Sequence, residues 1–395
     1  MNNSFEYLVP TKVIFGKGEE NRIGEILRDF GASRVFVVYG GGSVIRSGLL
    51  ENITKRLETA GIAYETFGGV LPNPRLAHAE EGVAKAIKFG ADFILAVGGG
   101  SVIDTSKAIA HGTANHETTL WDIWLGKYPL KKSMPVGVVL TIPAAGSETS
   151  NSAVLTNEAA GIKKGLTTEL NRPAFAVLDP ELAYTLPKYQ LTCGIVDIMM
   201  HTIDRYFAPG DGSNAITDEI AEGLLRTVIA SGRKLLIDQT NYDAMSELMW
   251  CGSLSHNGIT GLGREQDFSA HKLGHPLSAK YDIAHGATLS MVWGSWASYV
   301  RDINPARFAR FAEKVWGITD GDTREKAEAG VQATVNYFRE IGMPVSIGES
   351  KAGVLTEEAL EALANNATSG GTIKVAKFLP LGYQECLDIY RLANY

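Results

Sequence analysis

DFILAVGGGSVIDTSKAIA, residues 92–110, is the stretch from which the fold can be read. Asp92 to Val97 is a near-continuous apolar run of strand length. Gly98-Gly99-Gly100-Ser101 then turns the chain, and Val102 to Ala110 has apolar residues at helical spacing. A strand that passes through glycines into a helix lets backbone approach a ligand closely. It also points a helix N-terminus at that ligand, which suits phosphate oxygens. RVFVVYGGGSV, residues 34–44, repeats the arrangement. One such run alone reads more readily as a tight turn; two in corresponding strand–turn–helix positions favour a nucleotide cradle. Neither has the G-x-G-x-x-G spacing, so the standard dinucleotide fingerprint is missing.

Outward from these turns the first half alternates. Helical spacing runs over residues 19–30, 49–60 and 75–89, with strand patterns at 63–67, 136–142 and 175–178 and a loop at Pro72-Asn73-Pro74. Alternation of this kind predicts a parallel sheet with helices on both faces. After about Pro187 strand signals nearly vanish. Amphipathic segments follow at 216–237, 242–257, 284–300, 306–315, 324–341 and 357–366. At 395 residues the chain is too long for one core. The expected organisation is an α/β dinucleotide-binding domain over 1–187 and an all-helical metal-binding domain over 188–395, with ligands in the cleft between them.

Composition narrows the function. Apolar residues make up 45% and charged residues 21%, as in an ordinary globular protein. A net charge of -7 without a basic run argues against nucleic acid or an anionic membrane as partner. No leader and no apolar stretch of membrane-spanning length is expected. Three widely spaced cysteines, Cys193, Cys251 and Cys386, suggest neither a disulfide framework nor a cysteine zinc site, and fit a reducing cytoplasm.

The chemistry is concentrated in the helical half. In GIVDIMMHTID, Asp197 and His201 are one helical turn apart on one face. HKLGHPLSAKYDIAHG, residues 271–286, adds His271, His275 and His285. An isolated Asp/His pair is more often structural. Carboxylate and imidazoles together form a set that suits Fe(II), Zn(II) or Ni(II). Asp197, His201, His271 and His285 are the candidate ligands. His275 reads either as a further ligand or as a pocket residue that shuttles protons. His78, His111, His116 and His256 show no comparable grouping and read as ordinary.

The first Gly turn speaks to cofactor type. An acidic residue there would bind a ribose 2′-hydroxyl. Tyr39, Gly40, Gly41 and Ser43 offer none, which favours NADP(H). Arg46 beyond them is either part of that site or a solvated helix residue. PAAGSETS, residues 143–150, follows a strand and reads either as a hydroxyl-rich cofactor loop or as a plain polar loop.

Over essentially its full length the chain resembles the iron-containing (group III) alcohol dehydrogenases. The resemblance is carried by GGGSVIDTSKAIA, TIPAAGSETS, FAVLDPELAYTLP, the Asp197/His201 pair and, most specifically, HKLGHPLSAKYDIAHG. YGGGSV is similar to the NADPH-dependent butanol dehydrogenase branch, whose members reduce a broad range of aldehydes. The resemblance implies a dehydroquinate synthase-like fold, a homodimer, and hydride transfer between NADPH and an aldehyde whose oxygen a divalent metal polarises. It implies metal ligation by Asp197, His201, His271 and His285, with His275 as the non-ligand pocket histidine. Gly40, Gly41 and Ser43 would face the 2′-phosphate. Asn73, Gly99, Gly100, Ser101 and Asp104 would surround ribose and pyrophosphate. Thr141, Ser150 and Lys163 would complete the site near the nicotinamide. Pro143-Ala144-Ala145-Gly146 departs from relatives that carry a Thr before Gly-Ser-Glu, which removes one side-chain hydrogen bond. Glycerol dehydrogenase and dehydroquinate synthase chemistries share the fold class. A nucleotide- and metal-binding sensor without turnover is the alternative of another class.

Overall fold

The computed structural model describes residues 4–210 and 213–395. They form two compact units: Leu8–Thr185, and Leu186–Tyr395 together with the N-terminal residues through Tyr7.

In the first unit the order is β1 (Lys12–Phe15), α1 (Ile23–Asp29), β2 (Arg34–Gly40), α2 (Ser43–Arg46), α3 (Leu49–Thr59), β3 (Ala63–Val70), α4 (Leu76–Phe89), β4 (Phe93–Gly98) and α5 (Gly100–Ala114). There follow α6 (Leu120–Trp124), β5 (Val136–Leu140), β6 (Ser152–Asn157), β7 (Ile162–Thr167) and β8 (Phe175–Leu178). Six strands form one sheet in the order β3-β2-β4-β5-β8-β1. All its pairings are parallel. Val35, Val37, Phe93, Leu95 and Val97 pack with Ile26, Leu27, Ile53 and Leu57 of α1 and α3. Phe36, Val38, Ile94 and Ala96 lie on the opposite face, also buried, where α4 and α5 cover the sheet. Burial on both faces explains the continuous apolar runs in β2 and β4.

Tyr39 pairs with Val97, and Gly98 with Leu140, so both Gly turns leave the same, C-terminal edge of the sheet. In an open parallel sheet that is the edge where ligands bind. The antiparallel hairpin β6–β7 lies outside the sheet and follows the Gly146–Ser150 loop. The sequence reading has no strand there, because IKKGLT offers two lysines and a glycine and little strand signal.

The second unit is helical: α7 (Lys188–Phe207), α8 (Ala215–Ile237), α9 (Tyr242–His256), α10 (Ser269–Tyr281), α11 (His285–Val300), α12 (Pro305–Trp316), α13 (Thr323–Glu340), α14 (Glu357–Ala367) and α15 (Tyr383–Ala393). Among the described residues no helix is long and apolar enough to cross a membrane. α7 and α11 are buried along most of their length. They meet without a spacer: a Cβ at Gly286 would lie 2.1 Å from the Cys193 carbonyl oxygen. A Cβ at Gly274 would lie 2.8 Å from Thr288 Oγ1, so α10 and α11 are close as well. These two glycines set the distances between the three helices that carry the Asp/His cluster.

Gly286→Ala must push backbone against backbone. Its expected cost is about 1–3 kcal/mol, read as a lower Tm. Because His285 is the adjacent residue, metal binding should weaken with it, and titration of the purified variant measures both.

Candidate metal centre and cofactor face

Asp197 and His201 lie one turn apart on α7, at the buried centre of the helical unit. His271 sits in the first turn of α10, and His285 is the first residue of α11. Their imidazoles converge on one oxygen. Asp197 Oδ1 is 3.2 Å from His201 Nδ1, 3.7 Å from His271 Nε2 and 3.9 Å from His285 Nε2. Among the described residues, Asp197, His201 and His271 place one potential ligand atom each within 4.8 Å of one another. His285 lies at the edge of that group and is more exposed, its ring 5.3 Å from that of His271. The ring of His275 is 5.5 Å from that of His285.

The donor set fits a divalent cation. Asp197 Oδ1 and His271 Nε2 are both buried and have no hydrogen-bond partner. A buried polar atom in that state is costly unless something polar occupies the space before it. Burial opposes charge on His271, yet Asp197 and Asp204 outweigh it and raise its pKa. The two carboxylates therefore make the space before this imidazole electronegative, which suits a cation there. His201 is held well below its ordinary pKa, first by burial and then by His256, His271 and Arg205, which keeps it neutral, the form that ligates.

Asp204, absent from the sequence reading, completes the cluster. It lies two turns beyond Asp197 on α7 and is buried. Its Oδ2 accepts from His271 Nδ1 at 2.7 Å. The same carboxylate accepts from the backbone amides of Ala270 and His271 at 3.3 and 3.4 Å. α10 has no side-chain cap of its own, so Asp204 caps it from a neighbouring helix. A carboxylate on Nδ1 fixes the tautomer that leaves Nε2 as the electron-pair donor. The expectation that His256 is ordinary is also corrected. From the C-terminus of α9 its ring lies edge-on to that of His201, with centroids 3.9 Å apart. It stands on a helix of its own with no second candidate ligand one turn away, so no local pattern marked it.

On the α/β unit the other candidates gather at the sheet edge. Gly40 ends β2, Gly41 has open space around it, and Ser43 opens α2 after Gly42 in the left-handed region. Gly40 is close to the second turn, since a Cβ there would lie 3.6 Å from Val102. Gly99, Gly100 and Ser101 form the start of α5. Cβ atoms at Gly99 and Gly100 would meet Ile142 and Ala145 at 2.8 and 3.0 Å, so the loop after β5 lies directly on this turn. The Thr141 amide donates to the Gly98 carbonyl at 3.1 Å. Asn73 is buried with φ 59°, and Lys163 Nζ donates to its Oδ1 at 3.0 Å. Ser150 is buried. Asp104 turns its carboxylate inward, accepting from Ser147 Oγ at 2.6 Å and the Val154 amide at 2.9 Å.

The family model of iron-containing alcohol dehydrogenases matches residues 10–180, and that of the C-terminal domain of the same family matches residues 192–394. The chain is similar to NADH-dependent butanol dehydrogenase A of Clostridium acetobutylicum, at 38% identity over 98% of this chain and 99% of that one. It is also similar to NADPH-dependent aldehyde reductase YqhD of Escherichia coli, at 38% identity over 88% of this chain and 89% of that one. The crystal structure of NADH-dependent butanol dehydrogenase A from Thermotoga maritima superposes with a TM-score of 0.95, at 35% identity and 99% coverage of both chains.

Asp204→Asn keeps the size of the side chain and removes the charge facing His271 Nδ1. Loss of such a partner typically weakens metal affinity roughly 10–100-fold. Calorimetric titration of the metal-stripped protein is expected to show that loss.

Proposed function

The chain belongs to the iron-containing alcohol dehydrogenase family, and from that premise we propose that it is a metal-dependent aldehyde reductase working with NADPH. The observation that carries the reading is the convergence of three imidazoles on the unpartnered Asp197 Oδ1. Asp197, His201, His271 and His285 hold the cation, whether Fe(II), Zn(II) or Ni(II). When bound, the cation supplies Lewis acidity at the substrate carbonyl oxygen and the nicotinamide supplies hydride. One carboxylate and three neutral imidazoles leave the centre net positive, the sign a developing alkoxide needs. Asp204 keeps His271 in its donor tautomer. His275, beside His285, passes a proton to the product oxygen.

Gly40, Gly41 and Ser43 receive the 2′-phosphate. Gly99, Gly100 and Ser101, at the N-terminus of α5, receive the pyrophosphate, as helix N-termini do. Asn73 and Lys163 lie beside the ribose, Thr141 and Ser150 complete the site, and Asp104 braces the loop that carries Ser150. NADPH is favoured because no carboxylate stands between Tyr39 and Ser43 to repel a 2′-phosphate. By name the relatives include both an NADH-dependent and an NADPH-dependent enzyme at the same identity, so this preference rests on those residues. The three cysteines, unpaired in the structure, suit a reducing cytoplasm. A homodimer is the proposed assembly, which sedimentation measures.

Three measurements test this reading. In steady state with a short-chain aldehyde, kcat/KM for NADPH is expected to exceed that for NADH by about tenfold or more. A Cβ at Gly40 meets only ordinary contacts at 3.6 Å, so Gly40→Asp should fold and shift the preference towards NADH. Equal efficiency of the parent with both cofactors contradicts the assignment. His271→Ala and His285→Ala should lose metal by elemental analysis and retain NADPH binding, because the cofactor residues belong to the other unit. His275→Ala should keep its metal and lose rate, by ~10²–10⁴-fold at most; metal loss as severe as in His271→Ala would make it a ligand.

A further inference from the structure

α5 carries a polar stripe at a spacing of three or four residues, half-buried Asp104 and buried Lys107 and His111, which buried Asn115 extends just past the helix end. Lys107 is the unusual member. It is fully buried, and a buried lysine normally has a compensating carboxylate in direct contact. This one is instead surrounded by the Gly146–Ser152 loop. Its Nζ donates to the Ser147 carbonyl at 2.7 Å, Ser147 Oγ at 2.8 Å, the Ser152 carbonyl at 2.8 Å and the Ser150 carbonyl at 3.3 Å. A second cation completes the arrangement, with Arg172 Nη1 donating to the Thr149 carbonyl at 2.7 Å. Asn171 Nδ2 takes the Asn151 carbonyl at 3.0 Å. The loop thus has its carbonyls satisfied by buried side chains, where a helix or strand would satisfy them by its own ladder.

The charges around Lys107 balance. Burial pulls its pKa down to about 8, Asp104 and Glu148 favour the charged form, and Arg172 opposes it. The four oxygens around Nζ are surroundings that suit an ammonium.

The position of this contact gives it a role. α5 begins with Gly100, so the helix that carries Lys107 also carries the second Gly turn. The stretch that leads directly into this loop lies over that turn, with Ile142 and Ala145 against Gly99 and Gly100. We propose that Lys107 is the positioning residue that fixes the Gly146–Ser152 loop against the Gly99–Ser101 turn, and so shapes the surface that receives the phosphates and nicotinamide ribose of the cofactor. This rests on the nicotinamide-cofactor reading above. Lys107 touches neither substrate nor cofactor in this role; it acts through the backbone it holds.

Lys107→Met keeps the length of the side chain and removes every donor. Hydrogen bonds from a buried charged group are individually strong, so the expected loss of NADPH affinity is about 10–100-fold. It is to be read by quenching of protein fluorescence on purified, metal-loaded full chain. KM for NADPH should rise in parallel, with kcat at saturation within a few-fold of the parent and metal stoichiometry unchanged. Asn115→Ala is the control. It removes a stripe member that holds the Lys132 carbonyl and should lower Tm without moving the cofactor Kd. Ser147→Ala removes one acceptor and leaves the ammonium, with an expected weakening of roughly two- to fivefold. It decides the matter alone if Lys107→Met does not accumulate as soluble protein. A parent that binds NADPH beside Lys107 and Ser147 variants that bind it equally well overturns the proposal. A parent that binds neither NADPH nor NADH overturns the cofactor reading beneath it.

Discussion

The arrangement of the helical unit depends on one buried carboxylate oxygen, Asp197 Oδ1, faced by three imidazoles and without a hydrogen bond of its own. Burying such a group costs several kcal/mol unless charge or a ligand compensates it. The surrounding structure is organised to hold it there. α7 presents Asp197 and His201 on one face and Asp204 two turns on. Asp204 caps α10 and orients His271 through one carboxylate. Gly286 lets α11 touch the backbone of α7, which brings His285 to the same point. Helix packing and ligand geometry are therefore one constraint, and a change in either moves the other.

The α/β unit solves a different problem, a backbone surface that a dinucleotide can approach. In the proposed reading two Gly turns at one sheet edge supply it, and polar side chains hold the neighbouring loops in shape. Lys163 bonds Asn73, which is in the left-handed region, and Lys107 and Arg172 hold the loop that follows the stretch over the second turn.

Much of this was legible in the sequence, and the physical reasons are specific. The runs before Gly40 and Gly98 are continuous because β2 and β4 are covered on both faces, and a continuous run bounded by glycine reads clearly. The Asp197/His201 pair reads as one face because both residues lie on one helix, whereas His271 and His285 stand near the starts of two successive helices and are grouped by residue type and proximity in the chain. β6–β7 was not legible, because its second strand, IKKGLT, has no buried residue and no alternation of apolar and polar positions. α15 went unread although Cys386, Leu387 and Tyr390 repeat at helical spacing. Asp204, His256 and Lys107 could not be assigned from sequence. Their partners lie on other elements, His271 for Asp204, His201 for His256 and the loop carbonyls for Lys107, and no local pattern records a contact of that kind.

The measurement that bears most directly on the account is the return of metal to stripped protein under anaerobic conditions. Fe(II) or Zn(II) is added stepwise while aldehyde-dependent NADPH oxidation is followed. The account predicts no turnover in the stripped protein, recovery that saturates at one metal per chain, and no recovery in Asp197→Ala at the same metal concentrations. Turnover in the stripped parent, or full recovery in Asp197→Ala, would contradict it.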